Sequence, residues 1–235
     1  MRGFLTALIG VGLVGVAPAW SPASSAELAA GQAGGSISGQ VKLTSRIRGT
    51  ALPTPMYPSR VIGRQATPSI PEIRNVVVYL KGIAYRGTLP PARVELRQQD
   101  ETFVPHLVAI GKGSFVDFPN GDPFFHNVFS LSGAATFDLG RYREQEARAW
   151  RFNKAGLVKV FCHIHSHMSA SIFVLDHPYF AIPETDGTFQ LRGVPPGDYT
   201  IAGWHERVGE RTAVVRVESG RPATVNLSLP VEEAP

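Results

Sequence analysis

Short runs of Val, Phe, Ile and Tyr, alternating with polar residues or wholly apolar, recur along this chain and are broken at close intervals by Gly and Pro. A period of two places successive side chains on opposite faces of a strand, and frequent Gly or Pro stops a helix before it can propagate. Strands are read at Ile37–Leu43, Asn75–Lys81, Arg93–Arg97, Phe103–Ile110, Ser114–Phe118, Val128–Leu131, Ala147–Phe152, Leu157–Phe161 and Ser171–Leu175. Four more are read at Phe189–Leu191, Tyr199–Trp204, Ala213–Val217 and Thr224–Leu229. Helical spacing is almost absent; only Gly140–Ala147 offers one or two turns. The expected fold is all-β, and 235 residues suffice for two small sandwiches.

Two stretches stand outside this pattern. Residues 1–26 read as an export signal: Arg2 gives a positive start, Phe4–Val16 an apolar run, and Ser24-Ser25-Ala26 small residues for cleavage. The run is short and interrupted by Pro18, so no membrane span is expected in the mature chain. No cysteine lies near the cleavage point to carry a lipid anchor, which makes the periplasm the expected compartment. The second stretch, Thr44–Pro71, carries Pro53, Pro55, Pro58, Pro68 and Pro71 and reads as a long excursion. Arg46, Arg48, Arg60 and Arg64 in it, and Arg74 just beyond, read as solvated charges, with an acidic docking partner as the other reading. The formal charge of +4 falls to +3 when Arg2 leaves with the signal. That mild basicity does not support nucleic-acid binding, which needs a concentrated stripe of cations.

Export sharpens the question raised by the single cysteine, Cys162. Exported chains use cysteines in pairs as disulfides, and one thiol cannot form an internal pair. Cys162 stands among His163, His165, His167 and Met168, which favours a metal over an inert buried thiol. Leu157–Phe161 delivers Cys162 to a strand end, and Cys162-x-x-His165-x-x-Met168 then forms a tight loop of donors. Upstream, "VDFPNGDPFFHNVFS" brings His126 to the start of another strand. Thiolate, two imidazoles and a thioether form the donor set of a blue-copper site. Zinc accepts the same Cys and His donors with water as a fourth ligand. The thioether favours copper.

Residues Arg93 to Asp176 resemble the cupredoxins, in "FVPHLVAIGKGSFVDFPN", "HNVFS" and "AGLVKVFCHIHSHMSASIFVLD". Two residues between Cys and His and two between His and Met make the loop similar to that of amicyanin; plastocyanin-type loops are longer. The resemblance covers about the middle third of the chain. It implies a Greek-key β-sandwich in which His126, Cys162 and His165 are equatorial copper ligands and Met168 the axial one. It also implies that Asn127 ties the two ligand-bearing loops together. His163 and His167 depart from the amicyanin pattern; adjacent Cys162 and His163 face one ion together with difficulty, which keeps His165 as the ligand. His106, His177 and His205 read as structural or exposed. The resemblance further implies a one-electron carrier cycling Cu(II)/Cu(I), with a quinoprotein dehydrogenase or a cytochrome as redox partner. No Ser-His-Asp set, paired carboxylates or phosphate loop is readable, so an enzyme is not expected. The alternatives are a copper-delivery protein and an envelope binding module with structural copper.

After Asp176, "GTFQLRGVPPGDY" resembles carboxypeptidase-regulatory-like sandwiches. Such modules open with strands like "ISGQVKL" and "VVVYL", which here lie at 37–43 and 76–80. The expected organisation is a discontinuous sandwich, 36–86 and 177–231, with a copper domain, 88–176, inserted in it. Two domains in series are the plainer alternative.

Overall fold

The computed structural model describes residues 34–44 and 70–230, so the expected signal and most of the Pro-rich excursion lie outside the described residues. Within them there is no α-helix; a single 3-10 turn, Glu72–Asn75, leads into the second strand. The chain is all-β. Its opening strands are β1 (Gly35–Leu43) and β2 (Val76–Lys81). A central series follows: β3 (Arg93–Glu95), β4 (Arg97–Gln99), β5 (Thr102–Val104), β6 (Leu107–Gly111) and β7 (Phe115–Pro119). It continues through β8 (His126–Ser132), β9 (Ala135–Tyr142), β10 (Ala147–Arg151), β11 (Gly156–Phe161) and β12 (Ser169–Leu175). The closing strands are β13 (Phe180–Ala181), β14 (Thr188–Val194), β15 (Gly197–His205), β16 (Gly209–Val217), β17 (Pro222–Thr224) and β18 (Leu227–Leu229).

Four sequence expectations change: Arg93–Arg97 divides at Leu96 between β3 and β4, Thr224–Leu229 divides between β17 and β18, and two further segments differ. Phe103–Ile110 is not one strand: Pro105 has no N–H to offer a ladder, and β5 and β6 form on either side of it. Gly140–Ala147 is not helical. Residues 140–142 finish β9, Gln145 takes a positive φ in the turn, and Ala147 opens β10.

Pairing divides the strands into two sets. In the central set, one sheet runs β6-β12-β11-β8-β9, another runs β10-β7-β3, and β4 pairs with β5. Val116, Phe118, Val128, Phe152, Val160 and Ile172 are wholly buried in the core of this set. Burying each such side chain contributes roughly 1.5–3 kcal/mol.

The opening strands pair with the closing ones. β1 runs antiparallel to β14 and parallel to β17 and β18, while β2 lies between β13 and β15, with β16 beyond. Their core gathers Ile37 and Val41 from β1 with Val76, Val78, Leu80, Leu191, Ile201 and Leu229. Glycine permits the closest approach: a Cβ on Gly39 would run into the Val225 carbonyl.

The wholly apolar run Val76-Val77-Val78 now has a cause. Val76 and Val78 face the core they share with β1, whereas Val77 faces the other way, into a third cluster with Leu107 and Leu175. Both faces of β2 are therefore covered, and a strand buried on both faces reads as continuously apolar. Tyr79 and Trp204 pack there on Phe173 of β12, at ring separations of 5.1 and 5.4 Å. Beside them, Glu206 accepts hydrogen bonds from His106 Nε2 and Ser171 Oγ, each 3.0 Å away, and pairs with Lys159. These contacts hold its carboxyl far below the usual range, the His106 bond foremost. His205 and His177 are also held: His205 bonds Glu72 at 3.0 Å, and His177 Nδ1 accepts the Tyr179 N–H at 3.2 Å.

Candidate metal centre

The Cys162–Met168 loop closes because its two ends lie on paired strands. Phe161 is registered with Ser169, so the chain between them must turn back within seven residues. The Cys162 N–H donates to the Met168 carbonyl at 3.3 Å, and the Met168 N–H donates to the His165 carbonyl at 3.0 Å. β8 lies beside β11, with Phe129 opposite Phe161, which brings His126 at the start of β8 to the open end of this loop.

Three donor atoms converge there. His126 Nδ1 lies 3.8 Å and His165 Nδ1 4.0 Å from Cys162 Sγ, and the two Nδ1 atoms are 3.0 Å apart. The point in their plane equidistant from all three lies about 2.1 Å from each, compared with zinc–ligand lengths of about 2.0–2.3 Å. His126 and Cys162 are buried and His165 is half-buried. Met168 is buried in the same core cluster as Cys162. The donor set fits a soft or borderline metal ion: two imidazole nitrogens and one sulfur converge on one point.

The protonation of His126 is fixed from behind. Its Nε2 donates to Asp122 Oδ2 at 2.8 Å, so in the neutral ring it is Nδ1 that keeps a lone pair toward Cys162. Asp122 is only 2% exposed and accepts the backbone N–H groups of Asp100 and Glu101 at 2.8 and 2.9 Å. Burial pushes its carboxyl up, but those N–H groups and His126 outweigh burial and hold it below the usual range. Asn120 folds the loop beneath: its Oδ1 accepts the Asp122 N–H at 2.9 Å, and its Nδ2 donates to the Phe124 carbonyl at 2.8 Å. Phe124 then packs edge-on against both His126 and His165, at 5.2 and 5.4 Å.

The thiol is prepared to ionise. Burial pushes Cys162 up, but the His126 imidazole and the backbone N–H groups of Asn127, His165 and Ile164 bring it down to about 6. Burial alone would push His126 down; contact with Cys162 and Asp122 reverses this and raises it.

Asn127 bridges the two segments. Its Oδ1 accepts the His163 N–H at 2.8 Å, and its Nδ2 donates to Asp138 Oδ1 at 2.7 Å. His163 stands away from the donor cluster, stacked flat on Phe129 at 3.7 Å with Nε2 3.7 Å from Asp138. His167 lies 3.5 Å from Glu101, its ring 6.1 Å from that of His165.

Asp122 and Asn120 are the residues that sequence reasoning missed. The signal for Asp122 is a carboxylate four residues before His126, in a Gly- and Pro-rich turn. Asp122→Ala is expected to weaken metal binding by about 10–100-fold, because His126 loses its orienting acceptor while every donor stays in place. Competitive titration against a chelator measures this, and Asp122→Asn should recover part of the loss.

No protein-family model matches this chain, and neither does any curated protein. Solved structures do. The copper-containing nitrite reductase of Thermus scotoductus is 24% identical over 40% of this chain, with a TM-score of 0.35. That match spans only 25% of the reductase chain. Amicyanin from Paracoccus versutus is 26% identical over 37% of this chain and 85% of its own, with a TM-score of 0.33. The likeness to these cupredoxins is therefore partial, and it leaves more than half of this chain unmatched.

Proposed function

We propose that this protein is an exported type 1 copper protein, a one-electron carrier of the periplasm and not an enzyme. One observation carries the reading: Cys162 Sγ, His126 Nδ1 and His165 Nδ1 lie within 4.0 Å of one another, with Asp122 holding the His126 proton on the far nitrogen. His126, Cys162 and His165 would hold copper equatorially and Met168 axially. Copper supplies a one-electron couple, Cu(II)/Cu(I), when bound there. The chain's own part is rigidity. Paired strands fix Cys162 and His126, Asn127 ties the loops, and Phe124 packs against both imidazoles, an arrangement suited to little rearrangement between oxidation states.

His165 is the half-buried donor, which makes its edge the side from which a redox partner approaches. A quinoprotein dehydrogenase or a cytochrome fits that role. The strand pairing supports residues 88–176 as a copper domain inserted in a sandwich made from 36–86 and 177–231.

Voltammetry of the copper-loaded chain tests the carrier role. A reversible one-electron couple is expected, and Met168→Leu should keep the colour while raising the reduction potential, because it removes a weak donor that favours Cu(II). Copper that leaves on reduction, with no return wave, would instead indicate delivery.

A further inference from the structure

A groove of about 670 Å³ opens at the end of the sheet that holds β2 and β15, with Ile83, Tyr85, Arg86, Tyr179, Asp198 and Tyr199 among its lining. Three tyrosines shape it. Tyr179 is buried and stacked with His177 at 6.0 Å, and Tyr85 stands edge-on to it at 6.0 Å. Tyr179 is harder to ionise than usual because of burial and the neighbouring phenols of Tyr85 and Tyr199. One ring is seated tightly against glycine: a Cβ on Gly87 would run into the Tyr85 hydroxyl.

The polar groups divide into satisfied and free. The Tyr199 hydroxyl donates to the Pro195 carbonyl at 2.9 Å, Asp198 is held by Arg216 at 2.9 and 3.2 Å, and Lys81 pairs with Glu210. Arg86 has no ion pair or hydrogen bond among the described residues, and neither the Tyr85 nor the Tyr179 hydroxyl has a hydrogen-bond partner there. The volume falls in the range of about 300–1,000 Å³ usual for small-ligand sites. The groove thus offers aromatic faces, two free hydroxyls and one free guanidinium.

We propose that this groove binds an acidic saccharide. A pyranose ring presents a C–H face that stacks on a phenol ring and, at its edge, hydroxyl groups that pair with tyrosine hydroxyls. A carboxylate on the sugar accepts two N–H bonds from the Arg86 fork. A purely apolar ligand would cover Arg86 and the two free hydroxyls without pairing them, which costs free energy. None of this depends on copper, so the proposal stands or falls separately from the electron-carrier reading.

Calorimetry on the full chain tests it with two acidic probes, tetragalacturonic acid and the N-acetylglucosaminyl-N-acetylmuramic acid disaccharide. Maltotetraose and chitobiose serve as neutral counterparts. At least one acidic probe should bind about tenfold or more tightly than its neutral counterpart, and Arg86→Ala should cancel that advantage. Arg86 is exposed, so the variant should fold. Tyr85→Ala should weaken all saccharide binding, and Tyr85→Phe should weaken it less. Whichever acidic probe binds identifies the source, a uronate polymer or a wall fragment. Absence of binding by both acidic probes, equal affinity for the neutral sugars, or an unchanged acidic preference in Arg86→Ala each overturns the proposal. So does exclusive binding of the chain's own Pro-rich peptide LPTPMYP, residues 52–58, which would make the groove a peptide site.

Discussion

Cys162→Ser is expected to abolish the intense colour of the copper(II)-loaded protein and to lower its copper affinity by more than the about 10–100-fold typical of losing an orienting partner. The colour of such a site comes from charge transfer out of a bound thiolate, and a serine hydroxyl does not supply that donor. Cys162 reaches the thiolate form near neutral pH because its ionisation is held at about 6. A serine at the same place stays protonated and, as a harder donor, suits copper less well. The substitution changes little in the core, since Cys162 is small and already faces two imidazoles. Far-ultraviolet circular dichroism should therefore be unchanged while the visible band disappears. Retained colour in the serine variant would show that the sulfur is not the donor.

Val77→Asp is expected to be the most destabilising single change outside the metal centre. Val77 is fully buried between β2 and the strands β6 and β12, packed with Leu107 and Leu175. A carboxylate there has no partner and must either be buried charged or take up a proton, costing several kcal/mol. Against a total stability of about 5–15 kcal/mol, that removes a large share of it and lowers the melting temperature by many degrees. Val214→Asp is the control. That side chain is 79% exposed, so the same substitution should change the melting temperature only slightly. Thermal denaturation of both variants measures the contrast. Similar, small shifts in the two would mean that β2 is not packed on its second face.

The strand pattern made most of this fold legible, because period-two alternation and Gly or Pro breaks are local signals. β9 escaped because its sequence, ATFDLGRY, carries polar residues and a glycine, yet it pairs along β8 as the last strand of the sheet. The donors Cys162, His165 and His126 were legible from residue type and spacing, and the structure brings these three together. Asn127 was expected to tie the loops, and its bond to the His163 N–H does so. Asp122 was not legible as a partner of His126, since its role depends on Asn120 folding the turn beneath it. His163, His165 and His167 lie in the tight loop that the spacing predicts, but the spacing did not show that the three rings go separately to Phe129, the donor cluster and Glu101. The packing of Val77 and Phe173 against each other's strand sets was hidden for a different reason. A wholly apolar run says that both faces are covered but not what covers them.

The most direct test of the copper reading is the visible spectrum of the unmutated protein loaded with one equivalent of copper(II), recorded with its metal content and thiol titre. An intense blue or green band, bleached by a mild reductant and restored on reoxidation, is the predicted result. A colourless protein holding one copper with Cys162 intact and unoxidised would contradict it.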